Sequence, residues 1–348
     1  MMKRVLASIL ALSMMTGLLS SCGSSTSSSS GSESGSGGES NAEVITLKLG
    51  STTSEGTAEI EACHYFDERL QELSGGTMKC DVLANGLAGS ETEIVEGQQM
   101  GSMDMSVMCG VLQNFDSALK FLEWDFLFVN QEHLGEILYG EIGEQIEQRI
   151  LDTTGIRVLS VFMRTPRLIT TTKKIESVDD LKGLKIRVPE MPARTALWSA
   201  LGASPTPMAF NEVYSALQTN TIEGQENPIA TIVANKLYEV CPYLTISNHV
   251  YGFMYLNIAE STWEKLTDEQ KGWVQQAAEE AAEYNDQLAA DMEAEQLAEA
   301  AEYMEVTEVD TTAWRELTKD VYKQFADDPN YEAFEEIYLA IVEAGEKY

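Results

Sequence analysis

The stretch that decides the fold covers residues 180–229 and reads "DLKGLKIRVPEMPARTALWSALGASPTPMAFNEVYSALQTNTIEGQENPI". Near its start, Arg187 lies in the apolar run "KIRVP", although the chain has only 23 Lys and Arg residues against 56 Asp and Glu residues. On a strand predicted over 184–188, side chains alternate between two faces, so Arg187 shares a face with Lys185 and not with its apolar neighbours. An arginine in that place either pairs with a structural carboxylate or faces a cleft.

The sequence on both sides of this stretch alternates strands with helices. Such alternation predicts an α/β protein whose sheets are covered by helices on both faces. The last helix begins at a capping box, with Thr267 followed by Gln270, and its length of about 50 Å favours a role in bracing two lobes. We predict strands near 47–53, 78–84, 104–108, 156–163, 184–188, 204–208 and 243–258, and helices near 60–73, 90–100, 131–153, 212–219 and 267–303.

Charge and composition exclude some classes of partner and site. The formal net charge of −33 argues against nucleic acid, because binding phosphates requires basic patches. The cysteines after residue 22 form no C-x-x-C pair, and the three histidines have no ligand spacing, so we expect no metal site. Cys63 and Cys80 fall on a predicted helix and the strand after it; a disulfide is open to them, but free buried thiols are favoured.

The usual enzyme signatures are absent from the sequence. It contains no G-x-S-x-G, H-E-x-x-H, G-x-x-x-x-G-K-[ST] or G-x-G-x-x-G motif. We therefore expect neither an enzyme nor a cofactor, and we interpret most of the acidic residues as solvated helix faces.

The N-terminus predicts export and lipidation. "MMKRVLASILALSMMTGLLSSC" has a positive start, an apolar stretch and small residues before Cys22, which are the features of a signal peptide. Its ending "LSSC" resembles the lipobox of bacterial lipoproteins, in which the cysteine becomes the lipidated first residue. We expect residues 1–21 to be a lipoprotein signal peptide and residues 22–43 a Ser/Gly-rich tether that holds an extracytoplasmic domain at the cell membrane.

Residues 180–229 resemble the signature region of the extracytoplasmic solute-binding proteins of TRAP transporters, the DctP-like family. The resemblance extends from "LKLGST" through "LANGLAGSETEIVEGQQMGSMDMSVM" to the long C-terminal helix. It implies a two-lobed α/β fold of the periplasmic-binding-protein kind, with crossing strands and a bracing helix, that closes around an organic anion. The lobes would comprise 44–164 plus 253–292 and 165–252 plus 293–348.

The resemblance also implies roles for individual residues. The arginine of the R-V-P motif, Arg187, would bind a ligand carboxylate with two hydrogen bonds, which suits the planar fork of a guanidinium. Arg167 corresponds to a second arginine, and Asn227, in G-Q-E-N-P, would bind a carboxylate or a hydroxyl. Phe210 corresponds to an aromatic residue that packs against the ligand, although ordinary core packing is the alternative.

The ligand class follows less directly from the sequence. Thr52 and Cys109 stand where relatives place ligand-contacting polar residues, and a cysteine in place of the carboxylate of sialic-acid binders argues against sialic acid. Glu190 would accept hydroxyl hydrogens of a sugar acid, with a surface ion pair as its alternative. A sugar acid such as a uronate is favoured, delivered by a monomeric binding protein to an ion-gradient-driven TRAP permease. The alternatives are a C4-dicarboxylate, an enzyme acting on acidic glycans and a sensor module.

Overall fold

The computed structural model describes residues 44–348, so the predicted signal peptide, Cys22 and the tether lie outside the described residues. The described residues form two β-sheets with surrounding helices. The strands are β1 (Ile45–Gly50), β2 (Met78–Leu83), β3 (Met105–Met108), β4 (Ile156–Met163), β5 (Arg167–Thr171), β6 (Lys185–Val188), β7 (Ser204–Pro207), β8 (Gly224–Pro228), β9 (Tyr243–Ile246), β10 (Phe253–Ala259) and β11 (Glu305–Glu308). The helices are α1 (Ala58–Leu73), α2 (Glu91–Met100), α3 (Gln131–Leu138), α4 (Glu141–Thr154), α5 (Pro192–Ala200), α6 (Val213–Gln218), α7 (Ile229–Ala234), α8 (Glu260–Trp263), α9 (Asp268–Tyr303), α10 (Thr312–Thr318) and α11 (Tyr331–Gly345).

The first sheet has the strand order β2-β1-β3-β10-β4. Strand β1 pairs in parallel with β2 and β3, whereas β10 runs antiparallel to β3 and β4. Helix α1 packs on this sheet through Ile60, Phe66 and Leu70, which are fully buried at helical spacing.

The second sheet has the order β11-β9-β5-β8-β6-β7. Strand β5 pairs antiparallel with β8 and β9, and β6 pairs in parallel with β7 and β8. The sequence did not predict β5 or β8, because "RLITT" and "GQENP" are too polar to resemble buried strands. Every residue of both strands is nevertheless buried.

Two chain crossings and one helix join the sheets. The chain passes from β4 to β5 through residues 164–166 and returns from β9 to β10 through residues 247–252, so the single strand predicted over 243–258 is two strands. Backbone hydrogen bonds tie the crossings together, from Arg164 N to Gly252 O (3.0 Å) and from Arg167 N to Val250 O (2.9 Å). Helix α9, with 36 residues, packs against α1 and β4 of the first-sheet region and against α7, which follows β8 of the second sheet. These features confirm the predicted α/β fold class.

The helix predicted over 131–153 is two helices, α3 and α4. Gly140 precedes α4 in extended backbone geometry, and the chain turns back so tightly that a Cβ built on Gly143 would lie 2.1 Å from Leu138 O. Because only glycine permits that approach, the turn depends on Gly143.

The C-terminal helix α11 packs beside the first sheet. Its Phe334, Tyr338 and Ile341 share a core with Trp124 and Leu134, and the Phe334 and Tyr338 rings each lie 5.5 Å from the Trp124 ring. The lobe boundaries stay a prediction, but this packing places α11 with the first sheet rather than with the second, to which residues 293–348 were assigned.

The four cysteines of the described region, Cys63, Cys80, Cys109 and Cys241, are buried and free of disulfide bonds. Burial is the main reason that the pKa of each of these thiols is raised. Within residues 44–348, no helix is long and apolar enough to span a membrane.

Candidate functional site

One cavity lies between the two sheets, with walls that come from both of them. It includes about 730 Å³ of space not filled by atoms, part of it open to solvent. The structure brings all of the predicted ligand-binding residues of the described region into its lining: Thr52, Cys109, Arg167, Arg187, Glu190, Phe210 and Asn227. A concave site between two sheets, lined by apolar groups and a few polar ones, is typical of small-molecule binding.

Arg187 lies at the cavity on strand β6 and is only 4% exposed. Its Nε donates to the backbone oxygen of Met208 (2.9 Å), and neither of its terminal nitrogens has a hydrogen-bond or carboxylate partner among the described residues. Burial lowers the pKa of Arg187 to about 10, because removing the guanidinium from water disfavours its charged form. The structure therefore holds a desolvated cation with two donor groups that no described side chain satisfies.

Phe210 lies under the Arg187 guanidinium, with 5.6 Å between Cζ and the ring centre. The ring is half-buried and also packs against the core of the second sheet. Attraction between the cation and the ring face fixes the plane of the guanidinium, as does the Nε bond to Met208. The terminal nitrogens of Arg187 thus have a defined orientation in the absence of a ligand.

Arg167 also lines the cavity, but carboxylates occupy its donors. Its Nε and Nη2 bind the carboxylate of Glu226, Nη2 also donates to the Glu226 backbone oxygen (2.9 Å), and Nη1 lies 3.4 Å from Glu123 Oε1. Although burial lowers the pKa of Arg167, the charge of Glu226 raises it above its ordinary value overall. Arg167 is therefore paired with a structural carboxylate. This is one of the two alternatives that the sequence left open for Arg187.

Glu226 is the centre of a buried charge network. It binds Arg194 Nη2 (2.8 Å) and His249 Nε2 (3.2 Å) in addition to Arg167, and Arg194 in turn binds Asp125. Burial alone would raise the pKa of Glu226, but the neighbouring arginines hold it well below its usual range. Burial lowers the pKa of His249 to about 4, so this imidazole is neutral at pH 7.

Three carboxylates line the cavity: Glu91, Glu123 and Glu190. Glu91, at the start of α2, accepts a hydrogen bond from Thr52 Oγ1 (3.3 Å) and forms no ion pair within residues 44–348. Burial raises the pKa of Glu91, and so does the nearby charge of Glu123, while Arg187 and Arg164 lower it. Glu190 is exposed at the cavity mouth.

Two further residues contribute amide and thiol groups. Asn227 is buried on β8, and its Nδ2 donates to Gln225 Oε1 (2.6 Å). That bond fixes the amide, so that Oδ1 is the group left to accept from a ligand. Cys109 is buried at the end of β3, where its protonated thiol contributes mainly contact area.

Sequence reasoning missed Arg164, which lines the same cavity from the β4–β5 crossing. Its Nε donates to Glu59 Oε1 (2.5 Å) and its Nη2 to Thr231 Oγ1 (3.0 Å). The residue stands three positions before Arg167 in "MRTPR", and a second arginine in an otherwise apolar segment was the signal that could have drawn attention to it. Glu91, Glu123 and Thr231 were also missed.

The arrangement suits noncovalent recognition of an anion. A guanidinium with unpaired donors can bind a carboxylate through two hydrogen bonds, and the low dielectric of a buried site strengthens that interaction. Within the part of the chain that the structure describes, no group of three or more His, Cys, Asp or Glu side chains is arranged to hold a metal ion.

Comparison with known proteins identifies the class that this fold and this cavity define. The family model described as bacterial extracellular solute-binding protein, family 7 (DctP), matches residues 49–328. The chain belongs to this family. Family members are solute-binding proteins, as the sequence predicted.

Individual relatives match over most of their length. The chain is 40% identical over 284 residues to the solute-binding protein RD1_1052 of Roseobacter denitrificans, covering 80% of this chain and 86% of that protein. The crystal structure of that relative with bound L-galactonate superposes with a TM-score of 0.80, covering 85% of this chain and 99% of the other at 38% identity.

The names of two other relatives record two different ligands, galactonate and sialic acid. The sugar acid binding protein DctPAm of Advenella mimigardefordensis, in complex with galactonate, has a TM-score of 0.81 and 26% identity, covering 88% of this chain and 99% of that chain. The sialic acid-binding periplasmic protein SiaP of Vibrio cholerae is 30% identical over 282 residues, covering 80% of this chain and 88% of that protein.

Proposed function

We propose that this protein captures a sugar acid outside the cytoplasm and delivers it to a TRAP-type membrane permease driven by an ion gradient. The observation that carries the proposal is the pair of unpaired terminal nitrogens of buried Arg187, a residue that lines the cavity between the two sheets. A carboxylate is the group that these two donors fit best.

The remaining lining favours hydroxyl groups over a second acid group. Glu91, Glu190 and the Asn227 Oδ1 atom are hydrogen-bond acceptors, and hydroxyl hydrogens are suitable donors to them. A second carboxylate would instead be repelled by Glu91 and Glu123. The galactonate bound by two of the relatives has this combination of one carboxylate and several hydroxyls.

Calorimetric titration of the chain lacking residues 1–22 tests the proposal. The panel comprises L-galactonate, D-glucuronate and L-gulonate, with the dicarboxylates succinate and malate and the larger sugar acid sialic acid as competitors. We expect at least one of the first three acids to bind at least about tenfold more tightly than any of the competitors. Tighter binding of succinate or malate would replace the sugar-acid proposal with the C4-dicarboxylate alternative. Recovery of a modified ligand would instead support an enzyme.

We propose further that Cys22 is lipidated and anchors the protein to the cell membrane. The signal-like segment before Cys22 supports export, and the acyl chains that a lipobox cysteine accepts would provide retention. Cys22→Ser should release the protein from the membrane fraction of the cells that make it. A variant that stays membrane-bound would contradict the anchor.

We expect the protein to be a monomer whose two lobes close on the ligand, because the proposed site takes side chains from both sheets. Small-angle scattering should give the mass of one chain and a smaller radius of gyration when the best-binding sugar acid is present. An unchanged radius with ligand bound would argue against closure.

A further inference from the structure

Arg164 has one guanidinium nitrogen without a partner. The Nε–Glu59 and Nη2–Thr231 bonds hold the group in place, and Nη1 has no hydrogen-bond partner among residues 44–348. The residue is buried, with 5% of its surface exposed, and it lines the cavity together with Arg187. A fixed guanidinium with one free donor group therefore lies at the cavity wall, on the crossing between the sheets.

The charge of Arg164 is balanced within the protein, unlike that of Arg187. Glu59, at the start of α1, is itself buried and binds Arg164 at 2.5 Å, so the pair is neutral as a unit. A neutral ion pair attracts a second anion weakly but keeps its hydrogen-bonding capacity. The Arg164 Nη1 group is thus suited to a neutral oxygen.

Glu91 provides an acceptor on the lining of the same cavity as Arg164, and it also accepts the Thr52 hydroxyl. A hydroxyl group can accept from a guanidinium and donate to a carboxylate at the same time, whereas a second carboxylate can do only the first. A cavity that offers both a donor and an acceptor is complementary to a hydroxyl-bearing ligand.

We propose that Arg164 binds a hydroxyl group of the ligand and that the Glu59–Arg164 pair makes the site select monocarboxylates with hydroxyl groups over dicarboxylates of the same length. This inference rests on the proposed function and deepens it. Arg187 takes the carboxylate, and neutralised Arg164 takes a hydroxyl. In this assignment Arg164 adds a ligand contact that the sequence did not predict.

The test compares galactonate with galactarate, which has the same carbon chain but a carboxylate at each end. Two variants separate charge from hydrogen bonding. Glu59→Gln keeps Arg164 but removes the charge that balances it. The double variant Glu59→Gln/Arg164→Gln removes both charges together, which avoids leaving Glu59 buried without a partner.

Wild type should prefer galactonate over galactarate. In Glu59→Gln, the unbalanced guanidinium should bind the second carboxylate, so the ratio of galactarate to galactonate affinity should rise about tenfold or more. The double variant should lose about tenfold or more in galactonate affinity, the effect of one hydrogen bond to a charged donor, without a gain for galactarate. Melting temperatures establish that each variant is folded.

The outcomes separate this inference from the proposed function. If wild type binds no sugar acid, both fail. If wild type binds galactonate but the affinity ratio is unchanged in Glu59→Gln, the selectivity role of the pair is wrong. If the folded double variant binds galactonate as tightly as wild type, Arg164 does not contact the ligand. Should the double variant not fold, the Glu59→Gln ratio alone decides the question.

Discussion

Arg167 and Arg187 lie on strands of the same sheet and line the same cavity, yet their surroundings differ. Glu226 binds Arg167 through its carboxylate and its backbone oxygen. Among the described residues, the guanidinium of Arg187 instead has the Met208 backbone oxygen as its one hydrogen-bond partner and the Phe210 ring beneath it. Burial of a charge is costly, so a buried arginine implies a partner. For Arg167 the protein contains that partner, and for Arg187 we infer that the ligand supplies it.

The largest expected effect on stability comes from disrupting the buried charge network around Glu226. Glu226→Gln removes the charge that balances Arg167 and Arg194, which should lower the free energy of unfolding by about 3–5 kcal/mol. Denaturant unfolding measures this loss. Glu316→Gln, in an exposed pair with Lys319, is the matched control and should change stability by about 1 kcal/mol or less. A stability loss in Glu226→Gln no larger than in the control would refute the structural role of the network.

Substitutions of Arg187 should have the opposite effect, with a large loss of ligand affinity and little loss of stability. Arg187→Ala should weaken sugar-acid binding by about 2–5 kcal/mol, and Arg187→Lys nearly as much, since a single ammonium cannot replace a planar fork. The melting temperature should change little, because no described carboxylate loses a partner. Lys185→Ala, an exposed position on the same strand, should bind normally. A large fall in melting temperature with near-normal affinity would falsify the ligand-binding role.

The ion pair between Asp328 and Lys120 is intermediate in exposure between the buried Glu226 network and the exposed Glu316–Lys319 pair. Asp328 binds Lys120, Ser117 Oγ and Asn330 N, and its side chain is 19% exposed. Although burial raises the pKa of Asp328, the bond to Lys120 is the main cause of its overall fall to about 2.

The folded-state pKa of Asp328 lies below its unfolded value, so the carboxylate stabilises the fold above about pH 4 and loses this effect as the pH falls towards 2. Asp328→Asn should therefore cost about 2 kcal/mol of unfolding free energy at pH 7. The difference from wild type should shrink below about pH 4 and be lost as the pH falls through 2. Denaturant unfolding at several pH values tests this, and an equal difference at every pH would show that the effect is not electrostatic.

The smallest expected effect concerns the ring beneath Arg187. Phe210→Leu removes the cation–π contact, worth about 0.5–1 kcal/mol, so sugar-acid affinity should fall by about two- to fivefold. Phe126→Leu removes a similar contact with Arg315 outside the cavity and should leave affinity unchanged. Equal effects in both variants on calorimetric titration would indicate a general loss of packing.

The sequence predicted the elements with strong periodicity and clear caps. Strand β4 and helix α9 lie where they were predicted, and the Thr267–Gln270 capping box is formed. Strands β5 and β8 were missed because their polar residues belong to the charge network and the cavity. Such residues depart from the hydrophobic pattern that sequence reasoning follows.

Sequence resemblance selected residues that the fold brings into one cavity, but it could not reveal their pairing. The Glu59–Arg164 bond joins residues 105 positions apart, and the bond from Arg167 to Glu226 spans 59. No local pattern encodes such contacts. They depend on how β5 pairs with β8 and on where the crossings place α1.

By itself, the sequence determined the α/β fold class through the periodicity of its elements, which is a local property. Its resemblance to the DctP-like family predicted a solute-binding protein and implied Arg187 as a ligand-binding residue. Only the tertiary structure decided which of the two arginines, Arg167 or Arg187, pairs with a carboxylate of the protein. Strand register aligns Ile169 with Glu226 beside Arg167, and no described carboxylate pairs with Arg187. The physical reason is that charge compensation in a buried site is set by distances between residues far apart in the chain, which local sequence does not specify.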